Sequence, residues 1–401
     1  MQLIVLGLNH KTAPVDIRER FNFPQDKTVR VLRRLINNDN INEAVLLSTC
    51  NRTELYLVLE DTTAGVAFLR TLLRHLAGEQ YQPDYFYNLT GINCVRHLFK
   101  VASSLDSLII GEGQILSQIK SAYNLSRSRG MTATLLNTVF IRAITVGKRV
   151  RTETKIAYSS VSVSSAAVDL AINIVGDLTK ANILVLGAGR MSELTARHLI
   201  DKGAKTIFVS NRNLDHAQEL AEKFNGTAIP YNEFMQQAIT SDIIITSTGA
   251  PHYVITEQGV RDIIPKRGGK PLILVDIAVP RDVDPLVGGI EGVTLYNIDD
   301  LEGVVDMNKN FRSSEAKVAE NIIEEGIEAL KERLRYLTMR PVMVQLHEKM
   351  NFLRQKVLKR AFAKLPDLTE KERRIIDIMT QRLEIPARTD DSYEQCCRYG
   401  R

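Results

Sequence analysis

Cysteine is scarce in this chain. There are four in 401 residues, Cys50, Cys94 and the adjacent Cys396 and Cys397. So few, so irregularly spaced, provide neither a disulfide framework nor a zinc site, and no metal is expected. They suit a reducing, cytoplasmic setting in which any one thiol is free to react. Long apolar runs are also missing, so no segment approaches the ~20 residues that span a bilayer. The N-terminal MQLIVLGLNHK is apolar only briefly. It has no basic region before it and no small-residue cleavage site, and it reads as a strand. Internal repeats and low-complexity segments are absent as well. What remains is ordinary for a globular protein, 44% hydrophobic and 25% charged, with room for two or three domains.

The net charge of +5 is unevenly spread. Between Lys331 and Arg374 there are thirteen Lys and Arg against five Asp and Glu, and the remainder of the chain is slightly acidic. Such a stretch is either a solvated helical face or a surface for a polyanion.

Periodicity divides the chain. LIVLGL (3–8), EAVLLST (43–49) and ELYLVLE (54–60) read as strands. With the helical DKTVRVLRRLINN and AGVAFLRTLLRHLAG they give a βαββα order, and so a small antiparallel sheet with helices on one face. From 93 to 151 the pattern is helical throughout. From Asn182, the strands NILVLG, TIFVSN, DIIITST, PLILVDIAV and VTLYNI alternate with helices or turns, as in a doubly wound parallel sheet. An amphipathic helix follows from about 306, with Val318, Ile322, Ile323, Ile327, Leu330 and Leu334 as its apolar stripe. Pro341 is expected to interrupt it before a further helical pair. The expected fold is therefore α/β multidomain. An α+β domain with following helices spans 1–155 and a Rossmann domain 160–300. A long helix and an all-α region span 306–385, and a polar, disordered tail 386–401.

Within NILVLGAGRMSELTARHLI, Gly187 permits a tight turn and Gly189 lets the backbone approach a pyrophosphate. Ala188, Arg190 and Met191 complete the turn at the start of a helix whose free N–H groups suit an anion. Ser192 stands where a third glycine is usual. At the end of the second strand no acidic residue awaits a ribose hydroxyl. Asn211 and Arg212 stand there instead, and a guanidinium suits a 2′-phosphate, hence NADPH. Arg212 also fits as a surface arginine at a helix start.

Cys50, in LLSTCNRTELY, follows a strand and lies two residues from Arg52. A nearby guanidinium raises the thiolate fraction, and the same fork can grip a carboxylate. An inert core cysteine fits those residues equally. His97, on a helical run, is a structural histidine or an acid beside the thiol. GEGQIL (111–116) is a capping loop or a holder for a small polar substrate. Cys94, within an apolar helix, is expected to be inert.

Together GLNHKTAPVDIRER (7–20), LSTCNRTELY (47–56), SLDSLIIGEGQILSQIK (104–120), VLGAGRM (185–191), SNRN (210–213) and VDIAVPRDVDP (275–285) resemble the glutamyl-tRNA reductases, in family order over most of the chain. The resemblance implies that Cys50 attacks glutamyl-tRNA(Glu) to give a thioester, which NADPH reduces to glutamate 1-semialdehyde, the first step toward tetrapyrroles. It implies a glutamate pocket of Thr49, Cys50, Asn51, Arg52, Ser107, Glu112, Gly113, Gln114 and Gln118, with His97 assisting. It further implies a homodimer built on the long helix, transfer of the aldehyde to an aminotransferase, and haem feedback. After ERRIIDIMTQRL, Pro386 and an unrelated tail depart from the family pattern. The rival readings are another NADP-dependent dehydrogenase, or a non-catalytic NADPH-binding regulator.

Overall fold

A computed structural model describes residues 1–77, 82–108, 111–154, 156, 163–301 and 309–382. The tail expected to be disordered, with Cys396 and Cys397, lies outside these residues. The chain separates into a unit of residues 1–327 and a second of 328–401.

In the first unit, β1 (Gln2–Asn9), α1 (Val15–Arg18), α2 (Gln25–Ile36), β2 (Ile41–Ser48), β3 (Arg52–Leu59), α3 (Thr62–Ala77) and β4 (Tyr87–Thr90) build an antiparallel sheet of order β2-β3-β1-β4. Four-residue β4 is too short to show a period, and the sequence reading missed it. That reading also placed helices on one face only. Yet β3 is buried along its entire length, as happens when both faces are covered. Leu32, Leu35, Leu69 and Leu72 of α2 and α3 pack on one face against Ile4, Leu6, Leu55 and Leu57. On the other lie α4 (Gly91–Ala102), α5 (Ile115–Ser128) and α6 (Thr134–Glu153), where Tyr56 meets Phe140 edge-on at 5.3 Å. Glu43 on β2 fixes the start of α6, accepting hydrogen bonds from the N–H groups of Ala133, Leu135 and Leu136. Those donors have no partner within the helix and suit a carboxylate.

After α7 (Val163–Val175) come β5 (Asn182–Leu186), α8 (Arg190–Asp201), β6 (Thr206–Asn211), α9 (Leu214–Lys223), β7 (Thr227–Pro230), α10 (Phe234–Ala238), β8 (Ile243–Thr246), α11 (Glu257–Ile263), β9 (Leu272–Asp276) and β10 (Val293–Asn297). They form a parallel six-stranded sheet of order β10-β9-β8-β5-β6-β7. Edge strand β7, short, partly exposed and ending at Pro230, escaped the sequence reading. The order reverses between β5 and β8, which opens a crevice at their carboxyl ends.

The helix α12 (Lys309–Lys364) continues through Pro341, contrary to the break expected there. Proline removes one helical hydrogen bond at a cost of ~3 kcal/mol, and glycine-free helix formers on both sides hold the helix together. Its early part lies on α4 and α6. Ala319, Ile322, Ile323 and Ile327 are buried, whereas Val318, expected in the stripe, is 46% exposed. Arg96 forms a forked pair with Glu324, and Arg149 reaches Glu325. Gly326 makes the close approach possible, since a Cβ there would come 2.4 Å from a Val146 methyl. In the second unit, the rest of α12 and α13 (Glu370–Arg382) expose Met339, Val342, Phe352, Leu353, Val357 and Met379. Among the described residues no helix is long and apolar enough to cross a membrane.

Candidate functional site

Thr49, Cys50 and Asn51 form the turn between β2 and β3. Thr49 shapes it. Its N–H donates to the Arg52 carbonyl at 2.9 Å, and its Oγ1 accepts from the Asn51 and Arg52 N–H groups at 3.2 and 3.1 Å. Just after β1, the His10 N–H donates to the Asn51 carbonyl at 3.0 Å. The partly buried Cys50 side chain packs against the hydrophobic core of the parallel sheet, a core that Ala188 and Met191 of the glycine turn also border, as does Val279. Burial, then the nearby Glu112 carboxylate, pushes the Cys50 thiol up to about 12, against the opposing pull of Arg18. The thiol is therefore held protonated until a cation or substrate offsets that environment.

Arg52 does not face Cys50 as its position in sequence suggests. Its side chain is 1% exposed, with Nη1 2.6 Å from Glu54 Oε1 and 3.2 Å from Asp106 Oδ2, and Nη2 donates to the Asp106 carbonyl. Glu54, fully buried, also accepts from Tyr56 Oη at 2.6 Å, from Tyr87 Oη, and bonds His97 Nε2 at 2.8 Å. Burial alone would raise the Glu54 carboxyl, but Arg52 and then His97 outweigh it and hold the group well below the usual range. Asp106, paired with Lys11 as well, is likewise depressed, its burial outweighed chiefly by Arg52. The result is a largely buried cluster that fixes the His97 ring, whose Nδ1 is 3.9 Å from Asp106.

Residues 103–108 and 111–114 lie beside this cluster. Ser104 Oγ donates to the Glu112 carbonyl at 2.7 Å, and Arg151 Nη1 to the Gly113 carbonyl at 3.1 Å. Ser107 is buried, while Glu112, Gln114 and Gln118 are partly exposed. Burial raises the Glu112 carboxyl above its ordinary value. Gln114 Nε2 bonds Met191 Sδ at 3.3 Å. One of the expected substrate-pocket residues thus touches the expected cofactor turn.

In that turn Gly187 has φ +107, and a Cβ there would lie 2.8 Å from the Ser247 carbonyl oxygen. Around Gly189 a Cβ would meet nothing within 4 Å, so its backbone is open to a ligand. Ser192, fully buried, spends its hydroxyl on Ser247 Oγ at 2.8 Å. The residue replacing the usual glycine thereby ties α8 to the neighbouring strand. Asn211 Nδ2 donates to the Asn213 carbonyl at 3.1 Å. Arg212 meets His252 Nε2 at 3.1 Å and lies over the Tyr231 ring, 5.9 Å from its centre. Arg212 is exposed and Asn211 partly so, and among the described residues no acidic side chain bonds the guanidinium.

Three pairs bring the two sheets together. Arg18 Nη2 lies 2.7 Å from Asp299 Oδ1, Arg281 forks onto Glu19, and Asn22 Nδ2 donates to the Val279 carbonyl at 2.8 Å. The sequence reading singled out neither these nor Glu54, Tyr87 and His10. For Glu54 a signal existed, since Arg52, Glu54 and Tyr56 share one face of a strand at period two.

The N-terminal domain of glutamyl-tRNA(Glu) reductase matches residues 6–154, shikimate/quinate 5-dehydrogenase 169–304, and the glutamyl-tRNA(Glu) reductase dimerisation domain 318–384. Glutamyl-tRNA reductase of Trichlorobacter lovleyi is 43% identical over 95% of this chain and 88% of its own. That of Geobacter sulfurreducens is 44% identical over 92% and 85%. The solved glutamyl-tRNA reductase of Methanopyrus kandleri is 33% identical over 99% of this chain and 98% of its own, with a TM-score of 0.48. The chain belongs to the glutamyl-tRNA reductase family.

Proposed function

We propose that this enzyme reduces glutamyl-tRNA(Glu) to glutamate 1-semialdehyde with NADPH, through a thioester on Cys50. The observation that carries the reading is the placement of Cys50. Its turn projects from one sheet onto the core of the other, a core that Ala188 and Met191 of the dinucleotide turn also border. The Cys50 sulfur bonds to the glutamyl carbonyl carbon, the ester C–O bond breaks, and the thiol proton leaves with the 3′-oxygen of the tRNA. Gly187–Ser192 would hold the dinucleotide and Arg212 its 2′-phosphate. Bound there, it would supply a hydride to the thioester carbon, and with a proton from solvent the C–S bond breaks to leave the aldehyde and the free Cys50 thiol. A thioester accepts hydride far better than a carboxylate, so the covalent step divides a hard reduction in two. Thr49 and Asn51 border the acyl group, with Ser107, Glu112, Gly113, Gln114 and Gln118 across from them. Arg52 and His97 act from within the buried cluster. The exposed apolar side chains of α12 and α13 form the face that a second copy covers, and the basic stretch 331–374 serves the tRNA.

Incubation with radiolabelled glutamyl-tRNA in the absence of NADPH tests this reading. Label bound to the wild type and absent from Cys50→Ser supports it. Unlabelled wild type, with tRNA intact and NADPH still binding, refutes it and leaves a plain dehydrogenase or a regulator.

A further inference from the structure

The segment that leaves the carboxyl end of β8 is pinned at both ends by one residue. Asp282 is fully buried. Its Oδ2 accepts the Thr248 N–H at 2.7 Å and its Oδ1 the Thr248 hydroxyl. Its carbonyl accepts the N–H groups of Val254 and Ile255 at 2.6 and 2.9 Å. Within the segment, Thr248 Oγ1 accepts the Ala250 N–H at 3.1 Å. The segment also begins against the glycine turn, where Ser247 Oγ bonds Ser192 Oγ at 2.8 Å. Between these anchors His252 is exposed, and its Nε2 lies 3.1 Å from Arg212 Nη2. A guanidinium can only donate, so the imidazole accepts in this contact. Arg212 follows β6, and Tyr231, whose ring it overlies, follows β7. In the sheet β5 stands between β6 and β8. Arg212 and His252 therefore meet from either side of the strand that ends in the glycine turn.

We propose that His252 is the second arm of the 2′-phosphate site: it holds from the β8 side the phosphate that Arg212 holds from the β6 side, and so adds to the selection of NADPH over NADH. This rests on the reading of Arg212 as the 2′-phosphate residue. A guanidinium has five N–H donors and no acceptor, and an imidazole adds either a further donor or a positive charge. Two such groups converging from opposite sides suit an anion rich in acceptor oxygens, and a phosphate monoester is one. A Cβ at Gly189 or at Gly249 would meet nothing within 4 Å, which leaves both backbones open to a ligand. Once a phosphate takes up the Arg212 donors, His252 Nε2 is released from accepting them. Carrying the ring proton, it then donates to a phosphate oxygen. Because Asp282 already fixes both ends of the segment, the imidazole is presented without a loop having to order first.

The test titrates the full-length protein with NADPH and with NADH by fluorescence, and with adenosine 2′,5′-bisphosphate by calorimetry. The bisphosphate carries the 2′-phosphate without the nicotinamide half. His252→Ala is expected to weaken NADPH and the bisphosphate about tenfold, the order of one charge-assisted hydrogen bond. NADH should stay within about twofold and the melting temperature within about 1 °C, since the side chain is exposed. His252→Gln keeps an N–H donor and should stay within about threefold of wild type for NADPH. Unchanged NADPH affinity in His252→Ala overturns the assignment. So does an equal loss for NADH, which indicates a contact with the half that both dinucleotides share. Tighter NADPH binding also overturns it, since His252 would then compete with the phosphate for Arg212. Arg212→Gln separates this proposal from the reading beneath it. A preference for NADPH lost in Arg212→Gln and kept in His252→Ala counts against His252 alone. A wild type that binds NADPH and NADH equally removes the 2′-phosphate site, and both arms with it.

Discussion

Replacing Glu54 by Gln removes one charge from a fully buried position and almost nothing else. The amide oxygen can still accept from Arg52, Tyr87 and His97, and the new NH2 can donate to Tyr56 Oη, now an acceptor. What is lost is the anion that compensates Arg52, whose side chain is 1% exposed. Asp106 remains, at 3.2 Å from Nη1 and 16% exposed, and meets only part of that need. Breaking a buried pair by removing one partner costs about 3–5 kcal/mol. The retained hydrogen bonds and Asp106 place this case at the low end, about 3 kcal/mol. At roughly 2–4 °C per kcal/mol for a large domain, the calorimetric transition of the first unit should fall by about 6–12 °C at pH 7.

The pH dependence separates charge from packing. Because the folded-state carboxyl of Glu54 lies below its unfolded value, its stabilisation is complete above the unfolded pKa near 4.3 and is lost as pH falls further. The deficit of Glu54→Gln should therefore be constant from pH 8 to about 5 and shrink toward pH 3. A deficit no smaller at pH 3 than at pH 7, or a transition within 1 °C of wild type at pH 7, refutes the buried-ion account.

Gly189→Val should leave the melting temperature within about 1 °C while weakening NADPH binding at least tenfold by fluorescence titration, because its Cβ meets no protein atom within 4 Å. Gly187→Ala should lose both stability and binding, since its φ of +107 and the Ser247 oxygen at 2.8 Å leave no place for a methyl. Arg212→Gln should cut the NADPH-over-NADH preference by about tenfold, the order of one charge-assisted phosphate contact. Equal losses for both dinucleotides would remove Arg212 from the 2′-phosphate site. Gly326→Ala should cost about 1–3 kcal/mol by overpacking against Val146 and expose the 309–327 segment to limited proteolysis.

The parallel sheet was legible because its central strands are buried on both faces and announce themselves as apolar runs, as in DIIITST and PLILVDIAV. Short edge strands β4 and β7 carry no such signal, and a single proline proved weaker than the helix around it. The small sheet misled for a related reason. Strands covered on both sides lose their alternation, so nothing in LIVLGL or ELYLVLE counts the layers stacked against them. The glycine turn, by contrast, is a local device whose requirements fall within seven consecutive residues, and it could be read directly.

At Cys50, proximity in sequence is a poor guide to proximity in charge. A turn reverses the chain within three residues. Arg52, on the far side of it, enters β3 with its side chain directed to the face that α4 covers, where Glu54 and Tyr56 follow at period two. The charges that bear on the thiol come instead from Glu112, sixty-two positions later, and, opposing it, from Arg18, thirty-two positions earlier. Neither distance has a signature in one sequence, because burial of a charge depends on the partners the fold delivers and not on its neighbours in the chain. The same logic explains why the thiol is left unreactive by its immediate surroundings. Apolar packing and Glu112 push it up even with Arg18 in place, and a cysteine so protected resists oxidation until an incoming substrate changes the balance.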